Sequence, residues 1–166
     1  MEIINNFSEM FLSVWNKGIL GVDIFQILIG IGIFLIFLIF RGLISKLIIK
    51  KLEIISKRTT NKLDDTFVHS LIGPVRFLPI VLGFFFASYY MTFESNTREF
   101  VNNINRTLIT ILLFWTIHQI IEPVSYVLSG LGKILTRELI SWIVKSIKIL
   151  IFILGTAAVL ELWGIK

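Results

Sequence analysis

The chain has 166 residues, 55% of them hydrophobic, and a mean hydropathy of +0.87. Water-soluble domains are roughly 45–50% apolar, so these values exclude an ordinary soluble domain and indicate a membrane protein. The absence of cysteine excludes disulfides, thiolate nucleophiles and Cys-based metal sites, and the net charge of +5 lies beside apolar segments, so we expect no nucleic-acid partner.

Residues 1–20 alternate apolar and polar side chains at helical spacing, which predicts an amphipathic helix lying on the membrane surface. Residues 21–166 then form a transmembrane helical region, with spans at about residues 24–49, 71–91, 104–128 and 140–163. We expect Gly73-Pro74 to interrupt the second helix and Thr92 to Asn105 to form a polar loop. The predicted fold is therefore all-α, with about four membrane-spanning helices.

The basic residues predict how these helices are oriented. The segments Arg41–Arg76 and Lys133–Lys148 hold twelve of the sixteen Lys and Arg residues. Cytoplasmic flanks retain positive charge during insertion, so both segments are expected inside and both termini outside. The sequence thus predicts a multi-pass protein of the bacterial inner-membrane type.

Cations next to the first span are candidates for contact with lipid headgroups, since each contributes on the order of 1 kcal/mol near an anionic surface. The simpler interpretation is that they only set the orientation, and both can hold. The residues concerned are Arg41, Lys46, Lys50, Lys51, Lys57 and Arg58.

The third span contains His118, Gln119 and Glu122, three polar residues that are costly to expose to lipid. His118 and Glu122 are one helical turn apart and share a face. One interpretation is a proton or ion relay. The other, which we favour, is that they bind an adjacent helix or backbone, because Glu122 is followed by Pro123 close to the cytoplasmic end.

Small residues indicate where helices approach closely. Gly83 and Ala87 in the second span and Gly155 and Ala158 in the fourth predict packing seams that take part in gating. No nucleophile triad, phosphate-binding loop, dinucleotide fingerprint or metal-ligand pattern is found, so we expect no enzyme activity, no cofactor and no metal.

Two stretches resemble the multi-span MscS-like (small-conductance mechanosensitive) channels. Residues 58–65, RTTNKLDD, resemble the linker before a membrane helix in that family, and residues 141–166, SWIVKSIKILIFILGTAAVLELWGIK, resemble the helix before its pore helix. The resemblance implies a tension-sensing region that contacts membrane lipids. It also implies a heptameric homo-oligomer once a pore helix and a cytoplasmic domain follow, so we expect this chain to be incomplete without them.

Two other functions stay open at this stage. A small proton-coupled transporter would use His118 and Glu122, and it predicts pH-dependent uptake that Glu122→Gln abolishes. A non-conducting accessory or anchoring subunit predicts stable association with a separate protein and no tension-activated current. A membrane enzyme ranks last, because no interfacial cluster of catalytic groups is found.

Overall fold

The computed structural model describes residues 22–56, 63–129 and 136–165, which form four long α-helices. They are α1 (Ile24–Ser56), α2 (Leu63–Tyr90), α3 (Ser95–Ser129) and α4 (Arg137–Leu162). Each contains a segment long and apolar enough to cross a membrane: Ile24–Ile54, Thr66–Tyr90, Ser95–Ser125 and Glu138–Leu162. The predicted all-α membrane fold with four spans is confirmed, whereas the predicted amphipathic helix of residues 1–20 lies outside the described residues.

Two sequence predictions about helix boundaries are wrong. The predicted loop from Thr92 to Asn105 is mostly helical, because α3 already begins at Ser95. Its first turns are polar but contain neither glycine nor proline, so polarity alone does not end the helix. The Gly73-Pro74 pair does not interrupt α2, which continues through both Pro74 and Pro79.

Local signals define the helix ends. The Asp23 carboxylate accepts a 2.9 Å hydrogen bond from the Phe25 N–H at the start of α1, and the Thr136 hydroxyl accepts one from the Leu139 N–H at the start of α4. At the end of α4, Gly164 has a φ of 75° and its N–H bonds to the Glu161 carbonyl. This left-handed glycine turns the chain away from the helix and satisfies carbonyls of its last turn.

Consecutive helices pack antiparallel to each other. In α1 and α2, Gly30 lies near Ala87, whereas Ser45 lies near Val75, so positions rise along one helix as they fall along the other. The pairs α2–α3 and α3–α4 follow the same rule, and within the described ranges all substantial helix contacts join consecutive helices. The chain therefore crosses four times in alternating directions. One end of the bundle carries the loop at Thr92, and we call the opposite half, which extends from Arg41 at the middle of α1 and includes Lys148 of α4, the basic end.

Very little of each helix is buried inside the protein. The most apolar window of α2 is 28% buried, those of α1 and α3 are 6% buried, and that of α4 is 0% buried. Helix α2 is the most enclosed because, besides packing against α3, it forms the most extensive helix contact of the described residues, with α1. The remaining apolar surface, which includes Ile39, Phe152 and Trp142, is exposed and suited to contact lipid tails.

Pro79 explains the position of a buried hydroxyl on the neighbouring helix. Proline has no N–H, so the Val75 carbonyl, one turn earlier in α2, loses its helical hydrogen-bond donor. Ser45 of α1 is 3% exposed, and its hydroxyl lies 2.6 Å from the Arg41 carbonyl and 3.4 Å from the Val75 carbonyl. The hydroxyl is therefore shared between its own helix and the carbonyl that proline leaves open, as serine does in other membrane helices.

We expect Ser45→Ala to lower the free energy of unfolding by about 1–3 kcal/mol, because it leaves the part-buried Val75 carbonyl without this donor. In a Pro79→Ala background the helix supplies its own N–H to that carbonyl, so the loss should be smaller. Reversible unfolding in mixed detergent micelles measures both effects. Ser70→Ala is the matched control, since the Ser70 hydroxyl donates within its own helix, to the Thr66 carbonyl. An equal loss in both backgrounds would contradict this explanation.

Candidate functional site

Two of the three predicted intramembrane polar residues, His118 and Gln119, lie beside a groove between α3 and α4. The groove has a volume of about 510 Å³, and His118 and Gln119 line it from α3, opposite Gly155 and Thr156 of α4. The Thr156 hydroxyl bonds to the Phe152 carbonyl of its own helix. The structure thus places His118 and Gln119 together at the interface between α3 and α4, where both line the groove.

Glu122 does not line this groove but forms an ion pair with α4. Its carboxylate accepts a 2.8 Å hydrogen bond from the Lys148 ammonium group. The Glu122 side chain is 56% exposed and that of Lys148 is 24% exposed, so the pair is partly open. The sequence identifies Glu122 as a candidate but not its partner, because the basic side chain of Lys148 by itself indicates only membrane orientation. This geometry supports the interpretation that Glu122 binds an adjacent helix.

Two of the predicted small residues lie where α1 packs against α2. A methyl group built on Gly83 would come within 2.7 Å of the Phe37 Cβ, so the two helices touch at this glycine. Ala87 is 5% exposed, and its carbonyl lies 3.4 Å from the Cβ that Gly30 lacks. The ring of Phe37 stacks on Phe86 at a centroid distance of 5.6 Å. Gly83 and Ala87 therefore lie on the face of α2 that α1 covers.

The other two predicted small residues lie on α4. A Cβ on Gly155 would be 3.0 Å from the Phe114 Cγ, so this glycine lets α4 approach the Phe114 ring of α3. Ala158 is half-buried, one turn further along α4. At the interface between α2 and α3, Gly73 similarly faces Trp115, whose ring also lies 5.8 Å from that of Phe77. Sequence reasoning treated Gly73 as a helix breaker and missed this contact.

The predicted lipid-contacting cations separate into distinct groups. Arg41 and Lys46 line a cleft of about 400 Å³ at the basic end, together with Arg76 of α2, which sequence reasoning had not included. Lys50 and Lys51 are exposed on α1 but do not line that cleft. Lys57 and Arg58 lie outside the described residues.

The opposite end of the bundle carries three polar contacts that sequence reasoning missed. The Thr92 N–H and hydroxyl both donate to the Gln26 side-chain oxygen, at 3.1 and 2.6 Å. The Asn105 amide donates to the Ser88 hydroxyl at 2.7 Å. These contacts link the start of α1 and the start of α3 to the end of α2.

The third contact holds the end of α4 against α3. The Trp163 indole N–H donates to the Thr107 hydroxyl at 3.1 Å, and its ring meets Phe100 edge to face at 5.5 Å. Indoles concentrate at the membrane interface because they combine an apolar ring with one polar group. That preference places Trp163 at the interface from sequence alone, but only the helix register identifies Thr107 as its partner.

Two known proteins are similar to this chain. An "Uncharacterized MscS family protein" of Aquifex aeolicus is 25% identical over 163 residues, which are 95% of this chain and 44% of the relative. The "Uncharacterized MscS family protein YhdY" of Bacillus subtilis is 29% identical over 105 residues, 63% of this chain and 28% of the relative. No protein-family model and no solved structure matches the chain. The chain thus spans less than half the length of these relatives, and its similarity to both agrees with the resemblance to MscS-like channels.

We expect Gly83→Ala to destabilise the packing of α1 on α2 by about 1–3 kcal/mol, because the added methyl group would overlap the Phe37 Cβ. Gly32→Ala is the matched control on α1, since a methyl group there meets nothing within 4 Å. Unfolding in detergent micelles compares the two. Equal stability of both variants would show that Gly83 is not a close contact.

We expect Glu122→Gln and Lys148→Met each to lower the free energy of unfolding by about 0.2–1 kcal/mol, the usual range for an exposed ion pair. Exchanging the charges, Glu122→Lys with Lys148→Glu, should recover most of the loss. Lys145→Met removes an exposed cation one turn earlier on α4 and serves as the control. An exchanged protein no more stable than Glu122→Lys alone would argue against a direct pair.

Proposed function

We propose that this MscS-like chain is the membrane-tension-sensing transmembrane part of a mechanosensitive ion channel, acting together with a pore helix and a cytoplasmic domain. The observation that carries the proposal is the way α4 is held. By resemblance, α4 is the helix before the pore helix. It packs substantially against α3 alone among the described helices, and its apolar window is 0% buried. Its remaining surface is therefore available to lipid.

The proposed mechanism depends on the area that the protein occupies in the membrane, because tension does work when that area increases. A stretched bilayer is wider and thinner, so tension favours whichever arrangement of helices occupies more area in the membrane. An apolar helix gains little from leaving lipid for another helix, so moving α4 away from α3 costs mainly the specific contacts between them. These are the Gly155–Phe114 approach, the Glu122–Lys148 ion pair and the Trp163–Thr107 hydrogen bond.

The position of these contacts along α4 supports a tilt rather than a complete separation. The ion pair lies toward the basic end, the Trp163 contact lies at the opposite end, and Gly155 lies between them. Gly155 presents no side chain to the Phe114 ring, so α4 can rotate there once either end is released. In the whole channel the turn at Trp163 and Gly164 would transmit that tilt to the following helix.

The proposal also assigns an orientation, a membrane and partners to the chain. The basic end faces the cytoplasm, the N-terminus lies outside, and the membrane is of the bacterial inner-membrane type. The partners are membrane lipids and further copies of the same chain, a heptamer by family resemblance. The four spans and the two relatives support a multi-pass membrane protein. The orientation, the type of membrane and the heptamer are proposed in addition.

We expect Gly155→Val in the full-length channel to lower the tension at which it opens. The valine would push against Phe114 and destabilise the packed arrangement by about 1–3 kcal/mol, which changes the ratio of open to closed channels by roughly 5- to 150-fold at a given tension. Patch-clamp recording from protein reconstituted in liposomes measures the threshold.

Ala157→Val is the matched control for this experiment, because Ala157 is exposed on α4 two residues away. A threshold that moves equally in both variants, or in neither, would contradict a role for the Gly155 contact. A wild-type protein that gives no tension-activated current and instead co-purifies with a separate protein would replace the channel proposal with the accessory-subunit alternative.

A further inference from the structure

The cleft at the basic end brings together three cations from two helices. Arg41 and Lys46 lie on its α1 side and Arg76 on its α2 side, and the volume between them is about 400 Å³. Its other lining residues are Gly42, Ser45 and Ile49, so none of the described acidic side chains lines it. Three like charges around one cleft repel each other unless an anion lies among them.

None of these cations has a carboxylate partner among the described side chains. The ion pair found among the described side chains joins Lys148 of α4 to Glu122 of α3, and neither residue lines the cleft. All three cations are exposed, so the cleft is open to a ligand from outside the protein. Two arginine guanidinium groups provide flat, forked donors that match phosphate oxygens in pairs.

The surroundings of the cleft favour a lipid over a soluble anion. Leu35 and Leu38 continue the same face of α1 from Gly42 toward the middle of the span, and both are exposed apolar side chains. A molecule with its charged group between Arg41 and Arg76 would lie with its apolar part along this face. Basic pockets between membrane helices are typical sites for lipid headgroups that carry several phosphate charges.

The cleft also has room beside Gly42. This glycine lines the cleft, and a Cβ built on it meets no described residue within 4 Å. Ser45 also lines the cleft and is buried, and its hydroxyl donates to the Arg41 carbonyl at 2.6 Å, one turn earlier in α1.

We propose that this cleft is a binding site for a phospholipid headgroup bearing two phosphate groups, held between Arg41 and Lys46 of α1 and Arg76 of α2. The inference rests on the proposed contact with membrane lipids but not on gating, because binding is measured without tension or current. It adds Arg76 to the predicted contacts and separates the cleft from the exposed Lys50 and Lys51, which attract any anionic surface.

The test compares binding of cardiolipin, which has two phosphates, with that of phosphatidylglycerol, which has one, to the full chain in detergent by native mass spectrometry. We expect tighter binding of cardiolipin. Arg41→Gln with Arg76→Gln should weaken it by about a hundredfold, since each lost charged hydrogen bond changes affinity roughly tenfold. Lys50→Gln with Lys51→Gln removes the same charge from the same end and should weaken binding by only a few fold.

A second variant tests the cleft without changing any charge. Gly42→Leu fills the space above the glycine and should weaken cardiolipin binding by roughly tenfold, whereas Gly32→Leu, also open on α1, should leave it unchanged. If the double arginine variant does not fold, Gly42→Leu still tests whether cardiolipin binds in the cleft. Circular dichroism and unfolding in detergent establish that each variant used retains its helices.

Three results would overturn the proposal: equal binding of the two lipids, equal weakening by the arginine and lysine pairs, or unchanged binding in Gly42→Leu. Inorganic pyrophosphate tests the source of the phosphates. Weak displacement of bound cardiolipin supports the lipid, and full displacement at equal concentration would assign the cleft to a soluble anion instead. Loss of lipid selectivity with normal gating would reject the site alone, whereas normal lipid binding without tension-activated current would reject the channel function alone.

Discussion

Lipid tails are as apolar as the side chains of these helices, so the helices gain little by exchanging contact with lipid for contact with each other. Their arrangement depends instead on close approach at small residues and on hydrogen bonds between polar groups. The α1–α2 interface combines the Gly83–Phe37 approach with the Ser45 hydroxyl, and the α3–α4 interface combines Gly155 with an ion pair and an indole hydrogen bond. A few specific contacts therefore determine the position of each helix.

The packing of α1 on α2 also shapes the cation cleft. Pro79 leaves the Val75 carbonyl without its helical donor, and Ser45 turns toward that carbonyl while bonding to the carbonyl of Arg41. The same serine thus links the α2 backbone to the residue that carries one of the cations. Arg76 lies next to Val75, so both sides of the cleft are positioned by this local arrangement. Packing of the span and placement of charge here have one structural cause.

The amino-acid sequence predicts the four spans well, because each needs a long apolar run and little else resembles one. It also identifies Gly83 and Gly155, which do lie at helix contacts, although their role in gating stays a prediction. It fails at the start of α3, where the polar residues predict a loop but form a helix, and at Gly73-Pro74, where the helix continues. A helix tolerates polar side chains and proline where water or a neighbouring helix supplies the missing hydrogen bonds. Hydropathy does not show whether such a partner is present.

Partners across an interface were the hardest to predict. Lys148, Arg76 and Thr107 acquire their roles from which residues face each other, and that depends on rotation and register of two helices. Hydropathy constrains where a helix lies in the membrane but determines neither its rotation about its own axis nor its register with a neighbour. Rotation of α4 by the angle of one residue, about 100°, would turn Lys148 away from Glu122 without changing the apolar profile of α4. Contacts of this kind follow only from the packed structure.

Among the described residues, all extensive helix contacts join consecutive segments, and this has a consequence for how the protein is made. From α2 onward, each helix packs on the segment synthesised just before it, so the two can meet as soon as the later helix leaves the insertion machinery. Pairing of this kind requires no long search within the membrane, and local topology favours rapid folding. Synthesis in the order α1 to α4 therefore allows each helical hairpin to form before the next helix enters the membrane.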